Sequence, residues 1–285
     1  MKYNVSEDIR IVCKILDISY SKLADELNVA RSTIARIVSK DVYPSDMFLE
    51  NFYSFAYSNS HHPIRLNNLK IQFAKDCYGD IFFHGSRSSI DGEIDLNHSR
   101  KDIDIGAGFY LGESYEQASS YIFANNKSSV YIFKINDLDT LKIKEVDVSL
   151  EWMLMVSFYR GQLYKYEKSK FLKSIINEIE KYDVVIAPIA DNNMYDTMAR
   201  FARGDITDQQ AIYALSASHL GKQYVLKTEK ACKSVQMINR LYLSKHERED
   251  IEKERKEATT VALDKAMLAI ENFRRIGRYI EEVLK

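Results

Sequence analysis

Residues 82–121, FFHGSRSSIDGEIDLNHSRKDIDIGAGFYLGESYEQASSY, constrain the fold more than any other stretch of the chain. An apolar run reads as a strand that delivers His84-Gly85-Ser86-Arg87 at its end. Gly106-Ala107-Gly108-Phe109-Tyr110-Leu111 reads as a second, glycine-led strand, followed by a helix carrying Tyr121. From there to about residue 243 strands and helices mix without regular alternation. Val130–Ile135, Leu141–Ile143, Val184–Ala187 and a short run from Gln223 read as strands. Glu151–Arg160, Phe171–Lys181, Thr207–Ser218 and Glu229–Leu241 read as helices, the third opened by a Thr207/Gln210 capping box. Such an order points to an α+β split sheet rather than a doubly wound parallel one. No Gly-x-Gly-x-x-Gly or Gly-Lys-Thr loop opens a helix after a strand, so neither a dinucleotide-binding parallel fold nor a phosphate loop is supported.

The His-Gly-Ser-Arg run, the Gly-x-Tyr strand and the tyrosine eleven positions on resemble the NAD-binding half of ADP-ribosyltransferases. The likeness is to the poly(ADP-ribose) polymerase and diphtheria-toxin branch. The pattern from His84 to Tyr224, with its Ile189-Ala190-Asp191 segment and Gln-Tyr strand, also resembles a bacterial ADP-ribosyltransferase-like family catalogued as a domain of unknown function. The resemblance implies a split-sheet NAD-binding domain over residues 80–243, with NAD as substrate and no metal. It gives the backbone of Gly85 the nicotinamide carboxamide, an approach that a side chain would obstruct. It gives His84 a ribose hydroxyl, Tyr110 and Tyr121 the two faces of the nicotinamide ring, and Ser86 a place beside them. Arg87 is expected at the diphosphate through its fork of donors. Taken singly, a histidine at a strand end is ordinary, and tyrosines number 19 here; the ordered set carries the resemblance.

The third residue of the family's triad sits on a later strand, usually as Glu. Gly221-Lys222-Gln223-Tyr224-Val225-Leu226 is the matching strand, and it places Gln223 there. The triad expected from the resemblance is therefore His84, Tyr110 and Gln223. Cleavage at the nicotinamide ribose builds up positive charge, which fixed negative charge stabilises best. Gln223 accepts a hydroxyl but supplies no counter-charge, with Glu113, Asp191 and Asp196 as candidate carboxylates to replace it. Polymer elongation is disfavoured; mono-ADP-ribosyl transfer, NAD hydrolysis and NAD binding without turnover stay open.

Residues 1–60 read as a separate all-α module. Ile9, Val12 and Leu16 mark one amphipathic helix, and Ser19 caps a second, Tyr20–Asn28. Ala30–Lys40 and Ser45–Tyr57 follow. SKLADELNVARSTIARIVSK is similar to the helix-turn-helix of phage-repressor-type regulators, with Asn28 where a glycine is usual. The likeness implies that Arg31, Ser32, Thr33 and Arg36 face bases or phosphates, with Lys40 near the backbone. Seven basic residues oppose eight acidic ones over this module, so a monomer is expected to bind DNA weakly. A purely protein-binding helical module is the plainer alternative.

His61-His62-Pro63 opens a linker with a short helix, residues 61–79. Residues 244–285 are charged, then carry Val261, Leu263, Met267, Ile270, Phe273, Ile276, Ile280 and Leu284 as one apolar face of a long C-terminal helix. That face packs on its own domain, pairs with a second chain or binds a partner. Net charge is −1 and charged residues make up 28 %, which excludes a disordered or strongly basic chain. Cys13, Cys77 and Cys232 are too scattered for a disulfide framework or a zinc site, and no run suits a leader or membrane span. The expectation is a cytoplasmic mono-ADP-ribosyltransferase of toxin-like or phage-conflict type, fused to a DNA-binding helix-turn-helix. Its expected partners are a protein or nucleic-acid acceptor, DNA, an antitoxin and a second copy of the chain, with no membrane. The alternative is a transcription regulator that senses NAD or ADP-ribose without turning it over.

Overall fold

The computed structural model describes residues 1–285 apart from 61, 97–98, 191 and 218–220. The chain opens with α1 (Val5–Leu16), α2 (Tyr20–Glu26), α3 (Arg31–Val38), α4 (Asp46–Ser58) and α5 (Leu66–Tyr78). Next come β1 (Phe82–Ser86), β2 (Phe109–Gly112), α6 (Tyr115–Ser120), β3 (Ser129–Ile135) and β4 (Ile143–Glu145). Then follow α7 (Leu150–Tyr159), α8 (Lys170–Ile179), β5 (Val184–Pro188), α9 (Asn192–Ala202) and α10 (Asp208–Ser216). The chain closes with β6 (Lys222–Leu226), α11 (Glu229–Lys233), β7 (Val235–Tyr242), α12 (Lys245–Asn272) and α13 (Ile280–Val283).

These elements gather into two compact units, each discontinuous in sequence. The first holds Met1–Asp91, Ala118–Lys134 and Met237–Lys253; the second holds Gly92–Gln117, Ile135–Gln236 and Glu254–Lys285. The class is α+β with a mixed sheet.

In the first unit β1 runs antiparallel to β3, with His84 opposite Tyr131 and Gly85 opposite Val130, and β7 lies on the other side of β3. Its helical core is built by Ile9, Val12, Leu23, Ile34, Phe52 and Tyr53, and Tyr242 of β7 joins it by stacking on Tyr53 at 4.6 Å. Ser19 caps α2 and Ser45 caps α4, each accepting a backbone N–H from three residues on. Helix α5 is fastened to α1 by Lys70, whose Nζ lies 2.6 Å from Asp8 Oδ2 with both side chains buried. Tyr53 donates its hydroxyl to the same carboxylate oxygen.

In the second unit the strands run β4-β5-β6-β2. β4 and β5 are parallel, while β5/β6 and β6/β2 are antiparallel. Helix α7 is buried all round, with Trp152 to Val156 each at most 1 % exposed, and forms the centre of a core shared with α8, α9 and α10. Thr207 and Gln210 make the expected capping box at α10.

Two expectations fail for tertiary reasons. Glu229–Leu241 is not one helix: α11 ends at Lys233, and Val235–Tyr242 becomes β7, because pairing with β3 outweighs local helix preference. Nor is the C-terminal apolar pattern a single helical face. α12 stops at Asn272, Arg275 and Gly277 take positive φ, and Asp208 accepts the N–H of Arg278 at 2.8 Å. Ile280 and Leu284 thereby enter the core of the second unit, while Val261 and Met267 stay more than half exposed.

Candidate functional site

The first unit carries His84, Gly85, Ser86, Arg87 and Tyr121. β1 is apolar and buried at Phe82 and Phe83, and opens to solvent from His84 onward. The imidazole of His84 lies edge-on to Phe133 at 6.5 Å. Gly85 backs onto α6 so tightly that a Cβ there would overlap the carbonyl oxygen of Ala118. Ser86 turns inward on its own loop, its Oγ accepting the N–H of Ser88 at 3.3 Å. The guanidinium of Arg87 sits 5.8 Å from the ring centre of Tyr121, and that ring is 60 % exposed. A groove of about 550 Å³ opens here, lined by Arg87, Ile122, Ala124, Asn125, Asn126 and Lys127. Neither cation of the groove has an ion-pair partner among the described residues.

The second unit carries Tyr110 and Gln223, which lie on paired strands; Tyr110 stands opposite Val225, and Gly112 opposite Gln223. Gly108, just before β2, is held by Ser99, whose Oγ bonds both its N–H and its carbonyl. The Tyr110 hydroxyl accepts the N–H of Ile105 at 3.0 Å and donates to the carbonyl of Gly106 at 2.7 Å. Burial raises its ionisation well above the ordinary phenol range, against the lowering effect of the Ile105 bond. The two bonds hold the ring in place, and burial favours its neutral form.

Gln223 is buried, and its Nε2 donates to Asp104 Oδ2 at 3.1 Å and to the carbonyl of Pro188 at 3.0 Å. Asp104, only 5 % exposed, is the centre of this network. Its Oδ1 accepts the Tyr195 hydroxyl at 2.6 Å and the Arg160 guanidinium at 2.7 Å and 3.2 Å. Arg160 lies over the Tyr195 ring, 4.2 Å from its centre. The sequence alone assigns no site role to Asp104, Arg160 or Tyr195. Of the carboxylates it did single out, Glu113 is exposed and accepts the Lys222 N–H at 3.2 Å, Asp196 is exposed on α9, and Asp191 lies outside the described residues. The only hint of Asp104 was its place two residues before the glycine that opens the second strand.

At the N-terminal helices, Asn28 takes φ +51° between α2 and α3, a left-handed conformation that asparagine adopts at modest cost. Ile34 and Ile37 turn into the core of the first unit. Arg31, Ser32 and Arg36 are exposed on the opposite face of α3, Thr33 is half-buried, and Lys40 follows the helix at φ +68°. Among the described residues no group of His, Cys, Asp and Glu is placed to hold a metal, and no helix is long and apolar enough to cross a membrane.

Residues 81–237 match the model of a family described as a protein of unknown function, DUF3990. The match covers more than half of the chain, which therefore belongs to that family. No curated protein and no solved structure matches the chain.

Proposed function

We propose that this DUF3990 protein is a cytoplasmic NAD-dependent mono-ADP-ribosyltransferase with the split-sheet ADP-ribosyltransferase-like fold. The observation that carries this reading is the chemistry at Gln223. Both of its amide protons are taken by groups that only accept, Asp104 Oδ2 and the Pro188 carbonyl, so its oxygen is the end left for a ligand hydroxyl. That is the task the resemblance assigns to this strand position. The roles it gives to His84, Gly85, Ser86, Arg87, Tyr110 and Tyr121 are carried into the proposal unchanged. In the reaction the bond from ribose C1 to the nicotinamide nitrogen breaks, and nicotinamide leaves with the bonding electrons. An acceptor hydroxyl or amine then bonds to C1 and gives its proton to solvent. NAD labelled in the adenosine part, incubated with the chain and cell extract, is expected to pass label to a protein or nucleic acid. Label found only as free ADP-ribose would reduce the activity to NAD hydrolysis.

The reading extends to DNA binding by residues 1–60 as a helix-turn-helix. It is supported by the left-handed Asn28 between α2 and α3 and by the exposed Arg31, Ser32 and Arg36. A dimer would span two half-sites, and a toxin-like enzyme that represses its own genes would have an antitoxin partner, by analogy with other fused DNA-binding toxins. One observation favours a second reading, a regulator that senses NAD or ADP-ribose: Gln223 brings no negative charge. DNA affinity that changes with NAD, without release of nicotinamide, is the outcome that reading requires.

A further inference from the structure

We infer that Asp104 is a positioning residue for Gln223, and that the two form a displaced acid–amide pair in which the negative charge stands at 104 and the ligand acceptor at 223. The catalytic consequence rests on the transferase reading; the pairing rests on geometry alone. An amide can be turned end for end without changing its outline, so orientation has to come from its partners. Here both partners are acceptors, an aspartate oxygen at 3.1 Å and a peptide carbonyl at 3.0 Å, and only the nitrogen end fits. Asp104 is itself held fast, because Arg160 and Tyr195 occupy its other oxygen. The acceptor oxygen of Gln223 is thus fixed through a chain of bonds that begins at Arg160.

The same geometry makes a carboxylate at position 223 incompatible with Asp104. Ionised glutamate would set an oxygen where Nε2 now stands, facing the Asp104 carboxylate and the Pro188 carbonyl, with no proton for either. Two carboxylates at such a distance, both shielded from water, do not both ionise readily. Replacing Gln223 by the family's usual residue is therefore expected to harm this chain unless Asp104 is changed with it.

The test uses the full chain as parent, Asp104→Asn, Gln223→Glu and the double variant. Thermal midpoints are read at about pH 5 and pH 8, together with kcat and KM for nicotinamide release. Relative to the parent, Gln223→Glu is expected to lose about 5 °C or more between the two pH values, as the new acid is driven to ionise. Adding Asp104→Asn removes most of that pH-dependent loss; a pH-independent remainder stays, because Pro188 still faces an oxygen. Asp104→Asn alone is expected to lower kcat about tenfold with little change in KM, the mark of a bond that matters most in the transition state. A Gln223→Glu midpoint that follows the parent at both pH values overturns the pairing, and an unchanged kcat in Asp104→Asn overturns the positioning role. A parent that releases no nicotinamide counts against the transferase reading instead, while the midpoints still decide the pairing.

Discussion

The α-carbon of Gly85 lies against the carbonyl oxygen of Ala118, leaving no space for a Cβ, and Ile122 Cγ2 would stand 3.1 Å from one. Glycine is thus demanded by the packing of β1 on α6, whatever ligand its backbone meets. The obstacle is main chain, which does not swing aside as a side chain does. Gly85→Ala is expected to cost about 1–3 kcal/mol in urea unfolding. A variant as stable as the parent but unable to bind NAD would mean that the space is kept for the ligand rather than for α6.

Lys70 and Asp8 form the buried ion pair that ties α5 to α1, with Asp8 Oδ1 left without a hydrogen bond. Lys70→Met strands a buried carboxylate and is expected to cost about 3–5 kcal/mol. Asp8→Asn added to it recovers most of that loss, since no unpaired charge is then buried. Equal stability of the single and double variants, by chemical denaturation, would contradict this account.

These features differ in how far they can be read from sequence. The Thr207/Gln210 capping box and the Ser19 cap are local signals, complete within three residues, and both appear as read. β1, β2, β5 and β6 were legible as apolar runs near glycine or turn residues. β7 was not, because its identity depends on a partner strand about a hundred residues earlier in the chain. Asp104 was hidden for the same reason. It sits in the charged stretch Lys101-Asp102-Ile103-Asp104, which looks like solvated loop, and its partners lie 56, 91 and 119 residues away. The apolar residues of α12 misled in the opposite sense, since their helical spacing says nothing of the break near Gly277, beyond which Ile280 and Leu284 are buried in the core.

The three thiols should differ sharply in reactivity. Cys77 is exposed, whereas Cys13 and Cys232 are buried. Burial, with a smaller contribution from Glu229, pushes the Cys232 thiol up to about 11, and burial raises Cys13 as well. A thiol raised on folding stabilises the fold in full below its ordinary value of 9.0 and loses that contribution as pH climbs through about 11. At pH 8 a thiol reagent is therefore expected to modify Cys77 at least tenfold faster than the other two, an order-of-magnitude expectation. Uniform modification of the native protein would contradict this, as would stability that holds level from pH 8 to pH 11.

If α3 enters a DNA groove, its two arginines should contribute through phosphate charge or base contact. Arg36→Ala is expected to weaken binding and to reduce the slope of log affinity against log salt by about 0.9 if it meets phosphate. Arg31→Ala should behave likewise. An affinity indifferent to both substitutions would make residues 1–60 a protein-binding module.

The most direct measurement is the release of nicotinamide from NAD by the purified full chain beside His84→Ala, with the fold of each checked by thermal midpoint. His84 sits where β1 opens to solvent, and the midpoint separates a loss of fold from a loss of activity. Release by the parent is expected, and at least about a hundredfold less from the variant at an unchanged midpoint. Release that persists without His84, or none from the parent with or without cell extract, would contradict the proposal.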